Sequence, residues 1–402
     1  MIGGARTGGK GIFALDVTDP DDFDSGATAL PMWEFTAEDD SRLGYITEPP
    51  TISLADWGNG DYRWTVFLQN GYMSDTPSTG VFMLDIEGGL DGDWSDNGDY
   101  QYIEFDSGTD ASGLSSLKQV DLVGSDRIVD RIYAGDLKGN LWVATHTKQG
   151  WENAYNGALF TATDGSNAQP ITAAPLVIRY PEQEEAETND TTGNNGNNGG
   201  GNNSDTSTSP QVMVLFGTGK YLELSDVNNT DTQSFYGVFD GEAGKTRDDL
   251  IDRTLTEGEV TSDNVTYDVR YSDGDAFDPT THDGWYVDLI DAGERINLAA
   301  QVRGDYVFVN SLVPTTNPCD IGGDGWLMAF GLDGRTPDRT IWPKIGEPVV
   351  GFKVTGGIPN QTSFIDDYAL TPLSNSDILP DEVNTGSTSG ALGRRSWQEL
   401  YD

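Results

Sequence analysis

Apolar positions along this chain fall in short runs rich in Val, Ile, Phe, Tyr and Trp, each closed off by Gly, Asp or Asn. β-branched and aromatic residues between turn residues fit a pleated, buried surface, so the runs at 12–15, 32–35, 65–68, 80–85, 102–105, 131–134 and 141–143 predict strands. The same pattern returns at 212–216, 285–287, 306–309 and 326–328, and 221–224 also reads as strand. Helical stripes are scarce. The best fragment is 247–251, which Thr246 is placed to cap, with acidic residues near its start.

The densest unit is 121–142, DLVGSDRIVDRIYAGDLKGNLW. An acidic loop runs into the strand at 131–134, and the Asp136 to Asn140 segment is a tight-turn signal that joins it to an antiparallel neighbour. Parts of this pattern repeat. Gly11-Ile12-Phe13-Ala14-Leu15-Asp16 matches Gly80-Val81-Phe82-Met83-Leu84-Asp85 in character position by position, and Ile132-Tyr133-Ala134-Gly135-Asp136 is a looser third copy. Unequal spacing between the copies describes an array of sheet units with variable loops, as in propeller blades, and not a tight solenoid.

Residues 186–209 contain nothing that could bury a core and are expected to be a disordered, low-complexity insertion within one domain spanning 1–402. A flexible tail is expected over 377–402, its basic and aromatic end (Arg394, Arg395, Trp397) docking back onto the body.

Composition narrows the function more than the fold. The chain carries 66 Asp and Glu against 23 Lys and Arg, a net charge of −43, and that field repels phosphate backbones and anionic lipid heads. A nucleic-acid partner is excluded on this ground. Most of the acid reads as a solvated surface. One cysteine, Cys319, excludes an internal disulfide and a cysteine-based zinc cluster. Two histidines, His146 and His282, read as turn or surface residues and leave no recognisable catalytic triad. No apolar run approaches membrane-spanning length, and Met1-Ile2-Gly3-Gly4 is no signal peptide, so either the protein is cytoplasmic or the chain begins inside a longer exported one.

Several segments, in order, resemble the C-terminal β-propeller of the type IV pilus PilY/PilC family of tip adhesins and biogenesis factors: GKGIFALDVTDP at 9–20, DRIYAGDLKGNLW at 130–142, PITAAPLV at 170–177, VLFGTGKYLELSD at 214–226, TQSFYGVFD at 232–240, NPCDIGGDGWLMAF at 317–330 and GRRSWQEL at 393–400. The resemblance implies an all-β, quinoprotein-like β-propeller, seven-bladed in the family, here missing its opening strands. It also implies export to the pilus tip, cell surface or outer membrane. Minor pilins are the implied partners, with the outer-membrane secretin and host or abiotic surfaces as further ones. The implied role is non-enzymatic, in pilus assembly, extension and retraction control, attachment and twitching motility.

The family's calcium site is a loop directly before the YAGD strand, and here the resemblance places it on Asp121, Ser125, Asp126, Ile128 and Asp130. Calcium takes six to eight oxygens, which alternating carboxylates and a backbone carbonyl supply. Against the family pattern one residue is inserted, and the usual middle acid is Val123 or Gly124. Without calcium these carboxylates repel one another, and binding fixes the 131–143 hairpin. Asp91, Asp93, Ser95, Asn97 and Asp99 form a second candidate loop by alternation, although Tyr102 stands where a closing Glu is needed. Asp273, Asp275 and Asp278 form a third and weaker one.

Gly217-Thr218-Gly219-Lys220 lacks the hydroxyl residue and helix of a phosphate loop and reads as a turn. Arg303-Gly304-Asp305 reads as a hairpin turn before an integrin motif. Trp33, Trp142, Trp285 and Trp326 read as blade packing before sugar platforms. The rival from another class is a pyrroloquinoline-quinone dehydrogenase, which needs a stacking Trp and basic contacts that scarce Arg and Lys make hard to assemble.

Overall fold

The computed structural model describes residues 1–19, 21, 30–95, 98–124, 126–180, 211–316 and 322–386. The expected insertion at 186–209 and the docking end lie outside these residues, as do Ser125, Asn97 and Cys319. Among the described residues, strands form five sheets, and the ten-stranded one divides into two blade-like units, so that six units, numbered here as sheets 1–6, follow in chain order. Sheet 1 holds β1 (Ile2–Gly4), β2 (Gly11–Leu15) and β3 (Pro31–Thr36), and sheet 2 is the meander β4 (Thr51–Asp56), β5 (Tyr62–Gln69), β6 (Ser78–Asp85) and β7 (Tyr100–Ser107). Sheet 3 is β8 (Leu114–Val120), β9 (Arg131–Asp136), β10 (Asn140–Thr147) and β11 (Gly150–Asn153), with β12 (Phe160–Thr161) also pairing β10.

Sheet 4 comprises β13 (Leu176–Arg179), β14 (Val212–Gly217), β15 (Ser234–Phe239) and, after an excursion, β18 (Gly284–Asp288). The excursion is a long hairpin of β16 (Ile251–Ser262) and β17 (Val265–Asp273). Sheet 5 is β19 (Gln301–Arg303), β20 (Tyr306–Pro314), β21 (Gly323–Gly331) and β22 (Gly351–Val354). β16 pairs β18 in parallel and β17 pairs β22, so the hairpin bridges sheets 4 and 5 into one continuous ladder. β23 (Ser363–Ile365), β24 (Tyr368–Pro372) and β25 (Ile378–Glu382) make sheet 6.

Both faces of the inner sheets 2–5 carry buried residues, which explains why their central strands read as unbroken apolar runs, whereas sheets 1 and 6 bury one face. Side chains alternate faces along a strand. Val66 and Leu68 of β5 therefore meet Ile12, Ala14 and Phe35 of sheet 1, whereas Phe67 between them meets Ile132, Ala134 and Trp142 of sheet 3. Tyr133, Leu141 and Val143 of sheet 3 pack on Val214, Phe216 and Tyr236 of sheet 4. The opposite face of sheet 4, with Met213, Leu215 and Phe235, packs on Val307, Val309 and Trp326 of sheet 5. Phe308, Leu327 and Phe352 turn the other way, onto Ala369 and Phe364 of sheet 6. Five hydrophobic seams thus join successive sheets, as a propeller requires.

Tryptophans pin these seams. The indole N–H groups of Trp33, Trp94, Trp151 and Trp285 donate across them to the carbonyls of Ile86, Glu34, Asp56 and Leu332 at 2.8–2.9 Å. Trp33, Trp142, Trp285 and Trp326 are all buried, as the packing reading expects. Where the sheets' first strands converge, Thr51, Ser116, Ala173, Asn297 and Gln361 line a cavity of about 380 Å³. No helix among the described residues is long and apolar enough to cross a membrane.

Three expectations need correction or refinement. Residues 221–224 form no strand: Asp226 Oδ2 accepts the N–H groups of Leu222 and Glu223 at 2.8 Å, and a 3₁₀ turn, Leu224–Asn228, starts there. The fragment at 247–251 is a single 3₁₀ turn, Arg247–Asp249, with Thr246 N–H donating to Asp249 at 2.8 Å, and Ile251 already begins β16. The stretch from residue 377 is not wholly a tail, because Ile378–Glu382 pairs with β24 and buries Asp381.

Candidate metal centre

The 121–130 loop leaves β8 and returns to β9, and three sheets hold it. Asp130 N–H donates to Val120 O at 2.9 Å, closing the loop on its own sheet. Val129 N–H reaches Leu54 O of sheet 2 at 3.0 Å, and Arg179 Nη2 of sheet 4 donates to Leu122 O at 2.6 Å. Gly124 and Arg127 both adopt positive φ, +88° and +69°, which turns the chain sharply enough to bring its acids inward.

One oxygen of each carboxylate engages the loop's own backbone. Asp121 Oδ2 accepts Arg127 N–H at 2.8 Å, Asp126 Oδ1 accepts Ile128 N–H at 3.0 Å, and Asp130 Oδ2 accepts Leu122 and Val123 N–H at 2.8 and 2.7 Å. Asp121 Oδ1 is buried without a hydrogen-bond partner. Burial pushes the Asp130 carboxyl above its ordinary value despite its two N–H donors, and repulsion from Asp121 and Asp126 adds to the rise. Asp121 and Asp126 thus lie near enough to Asp130 for their charges to be felt there. Among the described residues, though, no three Asp, Glu, His or Cys side chains are gathered closely enough to hold a metal ion as they stand. The donor chemistry fits an oxygen-seeking cation: a buried carboxylate oxygen lacks a partner beside two further acids.

In the other two candidate loops, described acids cap bends in the backbone. In the 91–99 loop Trp94 plugs the sheet 1–sheet 2 seam, 5.1 Å from Trp33, which throws its neighbours outward. Asp91 then accepts Asp93 N–H and Asp93 accepts Ser95 N–H, each capping its own bend. Asp273 and Asp278 likewise accept Gly274 and Thr280 N–H groups. Arg303-Gly304-Asp305 is the β19–β20 turn, and Arg303 donates to Asp366 O of sheet 6. Lys220 pairs with Asp226 at 3.2 Å, away from any phosphate-loop geometry. His146 Nε2 lies 3.6 Å from Asp56, and His282 Nδ1 accepts Asp278 N–H.

Sequence reasoning missed the anchor beyond the loop. Arg131 pairs with Asp240 of sheet 4, and Tyr133 and Tyr155 donate to the same carboxylate. Only the basic residue right after the last acid of the loop hinted at it.

A family model described as the PilY1 beta-propeller domain matches residues 1–268. Type IV pilus biogenesis factor PilY1 of Pseudomonas aeruginosa is 30% identical to this chain, over 85% of it and 29% of the relative. A PilY1 homolog of Xylella fastidiosa is 28% identical over 100% of the chain and 30% of the relative. The chain thus spans under a third of the length of these curated relatives. Its fold is similar to the crystal structure of the Pseudomonas aeruginosa PilY1 C-terminal domain, with a TM-score of 0.71 and 24% identity, covering 96% of this chain and 81% of that one. The seams, the propeller order of the sheets and the family match agree: the chain belongs to the PilY1 β-propeller family.

Proposed function

We propose that this propeller is a non-enzymatic, calcium-responsive module of a type IV pilus biogenesis factor. It acts at the pilus tip or cell surface in assembly, extension and retraction control, attachment and twitching motility. Family membership supports the pilus context, since the relatives are named as pilus biogenesis factors. The minor pilins are the proposed partners, with the secretin and host or abiotic surfaces beyond them.

The observation that carries the calcium reading is the trio Asp121, Asp126 and Asp130, in which the first two disfavour the charge on the third, with one buried Asp121 oxygen unpartnered. Those three side chains, the Ile128 carbonyl and Ser125 would hold the ion, which supplies positive charge to offset their repulsion. The protein's own residues transmit the change. Arg179 holds Leu122, Asp130 holds the backbone of Leu122 and Val123, and Arg131 next in sequence is bound to Asp240. A tighter loop therefore braces the seam between sheets 3 and 4.

Placement favours binding over quinone redox chemistry. Trp33, Trp142, Trp285 and Trp326 are buried, and the cavity where the first strands converge is lined by small, aliphatic and amide side chains with Glu48 as its charged member. Calorimetric titration of chelator-treated protein tests the reading: one saturable site should vanish in Asp130→Ala and persist in Asp93→Ala. Retention of the site in Asp130→Ala would refute it.

A further inference from the structure

The cavity where the first strands converge is walled by one short pattern used four times. Segments 46–49, 171–174, 296–299 and 358–361 each begin with Ile, and each leads into the first strand of a sheet, β4, β13, β19 and β23. The residue three places after the Ile lines the cavity in every copy: Pro49, Ala174, Ala299 and Gln361. One place earlier Glu48, Ala173 and Leu298 line it too, so a single carboxylate enters a ring of neutral side chains. Among the described residues no Lys, Arg or His lines it.

The backbone orients two of its amides. Gln69 Nε2 donates to Glu48 O and Gln361 Nε2 to Ala299 O, each at 3.3 Å. A carbonyl only accepts, so each amide is set with its nitrogen on the backbone and its oxygen unused. No described residue donates to either Oε1, and no described residue bonds the Asn297 side chain, which also lines the cavity. Gln69 is 2% exposed, and an amide oxygen held that deep without a donor is a cost that a ligand's N–H would remove.

We propose that this cavity binds a small organic cation, a primary ammonium or a guanidinium. Its N–H groups meet the amide oxygens and Glu48, and its hydrocarbon part meets Leu117 and Leu298. An anion finds no positive side chain there, and the −43 charge of the chain repels it while drawing a cation in. A neutral ligand gains nothing from the charge on Glu48. A bare metal ion is much smaller than the cavity of about 380 Å³ and has no use for aliphatic walls, and among the described residues no three Asp, Glu, His or Cys side chains gather to hold one.

The test titrates the intact 402-residue chain with butylguanidinium, butylammonium and the neutral isostere butylurea, read by calorimetry and saturation-transfer NMR. Chelator and about 0.15 M salt keep the 121–130 loop empty and screen diffuse attraction, so the outcome is independent of the calcium reading. Saturable binding of at least one cation is expected, with butylurea at least about tenfold weaker. Glu48→Gln, at an exposed position, and Gln361→Leu should each weaken the cation at least about tenfold, with circular dichroism to check that both are folded. Glu38→Gln, an exposed acid outside the cavity, removes the same charge and should bind as the parent does. Absence of saturable binding by both cations, butylurea binding as tightly as they do, binding untouched in Glu48→Gln, or equal weakening in Glu38→Gln would overturn the assignment.

Discussion

Arg131, the residue directly after the last carboxylate of the 121–130 loop, is ion-paired with Asp240 across the seam between sheets 3 and 4. Asp240 is 2% exposed at its side chain and also accepts the Tyr133 hydroxyl at 2.7 Å and that of Tyr155. Removing one partner of such a buried pair strands the other. Asp240→Ala should therefore cost about 3–5 kcal/mol in urea unfolding, and a loss within ordinary surface-mutation range would show that the pair does not brace the seam.

The Asp130 carboxyl sits above its ordinary value because burial, and then Asp121 and Asp126, disfavour its charged form. With a folded pKa above the unfolded one, the folded state holds its proton longer. In chelator, this group's contribution to stability is thus greatest below the ordinary carboxylate value and is lost as pH rises through the raised one. Asp130→Asn should remove that loss, so the variant gains on the parent in melting temperature between about pH 4 and pH 7. Calcium should reverse the ranking at neutral pH, and an unchanged gap between the two proteins across the range would contradict the shift.

Trp142 stacks on Phe105 at 5.5 Å and donates through Nε1 to Asp136 Oδ2 at 2.9 Å. Burial raises the Asp136 carboxyl, and N–H groups from Lys138 and Asn140 hold it in place. Trp142→Phe keeps most of the ring and removes one donor from a buried carboxylate. The expected loss is about 1–3 kcal/mol, measured by denaturant titration, with Asp136→Ala costing more because four donors lose their acceptor.

Asp263 and Asn264 turn the β16–β17 hairpin with φ of +51° and +65°. Two left-handed residues in a two-residue loop match the twist of the flanking strands, and Asn tolerates that conformation where a β-branched residue does not. Asn264→Val should destabilise by about 1–2 kcal/mol and increase amide exchange in Thr261 and Thr266. Exchange rates equal to the parent's would mean that the bridge between sheets 4 and 5 does not depend on this turn.

Much of the fold was legible because two-sided burial leaves a mark that local chemistry alone can read. The strands at 65–68, 80–84, 212–216 and 306–309 needed no context, since every position in them is apolar or small and residues on both faces are buried. The 251–273 hairpin left a readable signal too, in alternation around Asp263-Asn264, yet its acidic and Thr-rich strands hid it among surface segments. The strand reading of 221–224 failed for the opposite reason. Its apolar alternation is real, but Asp226 captures the backbone N–H groups that a ladder would have used.

The amino-acid sequence by itself determined the strands, the turns between them and the acidic loop ahead of β9, because each depends on neighbours a few residues away. Only the tertiary structure decided which seam each face enters, since hydrophobic burial is non-directional and an apolar residue does not name its partner. It also decided that Arg131 meets Asp240, 109 residues onward, and that Arg179 and Leu54 grip the loop from sheets on either side. Glu48, Gln69 and Gln361 likewise line one cavity only because the first strands of separate sheets converge there, and packing between the sheets sets that convergence.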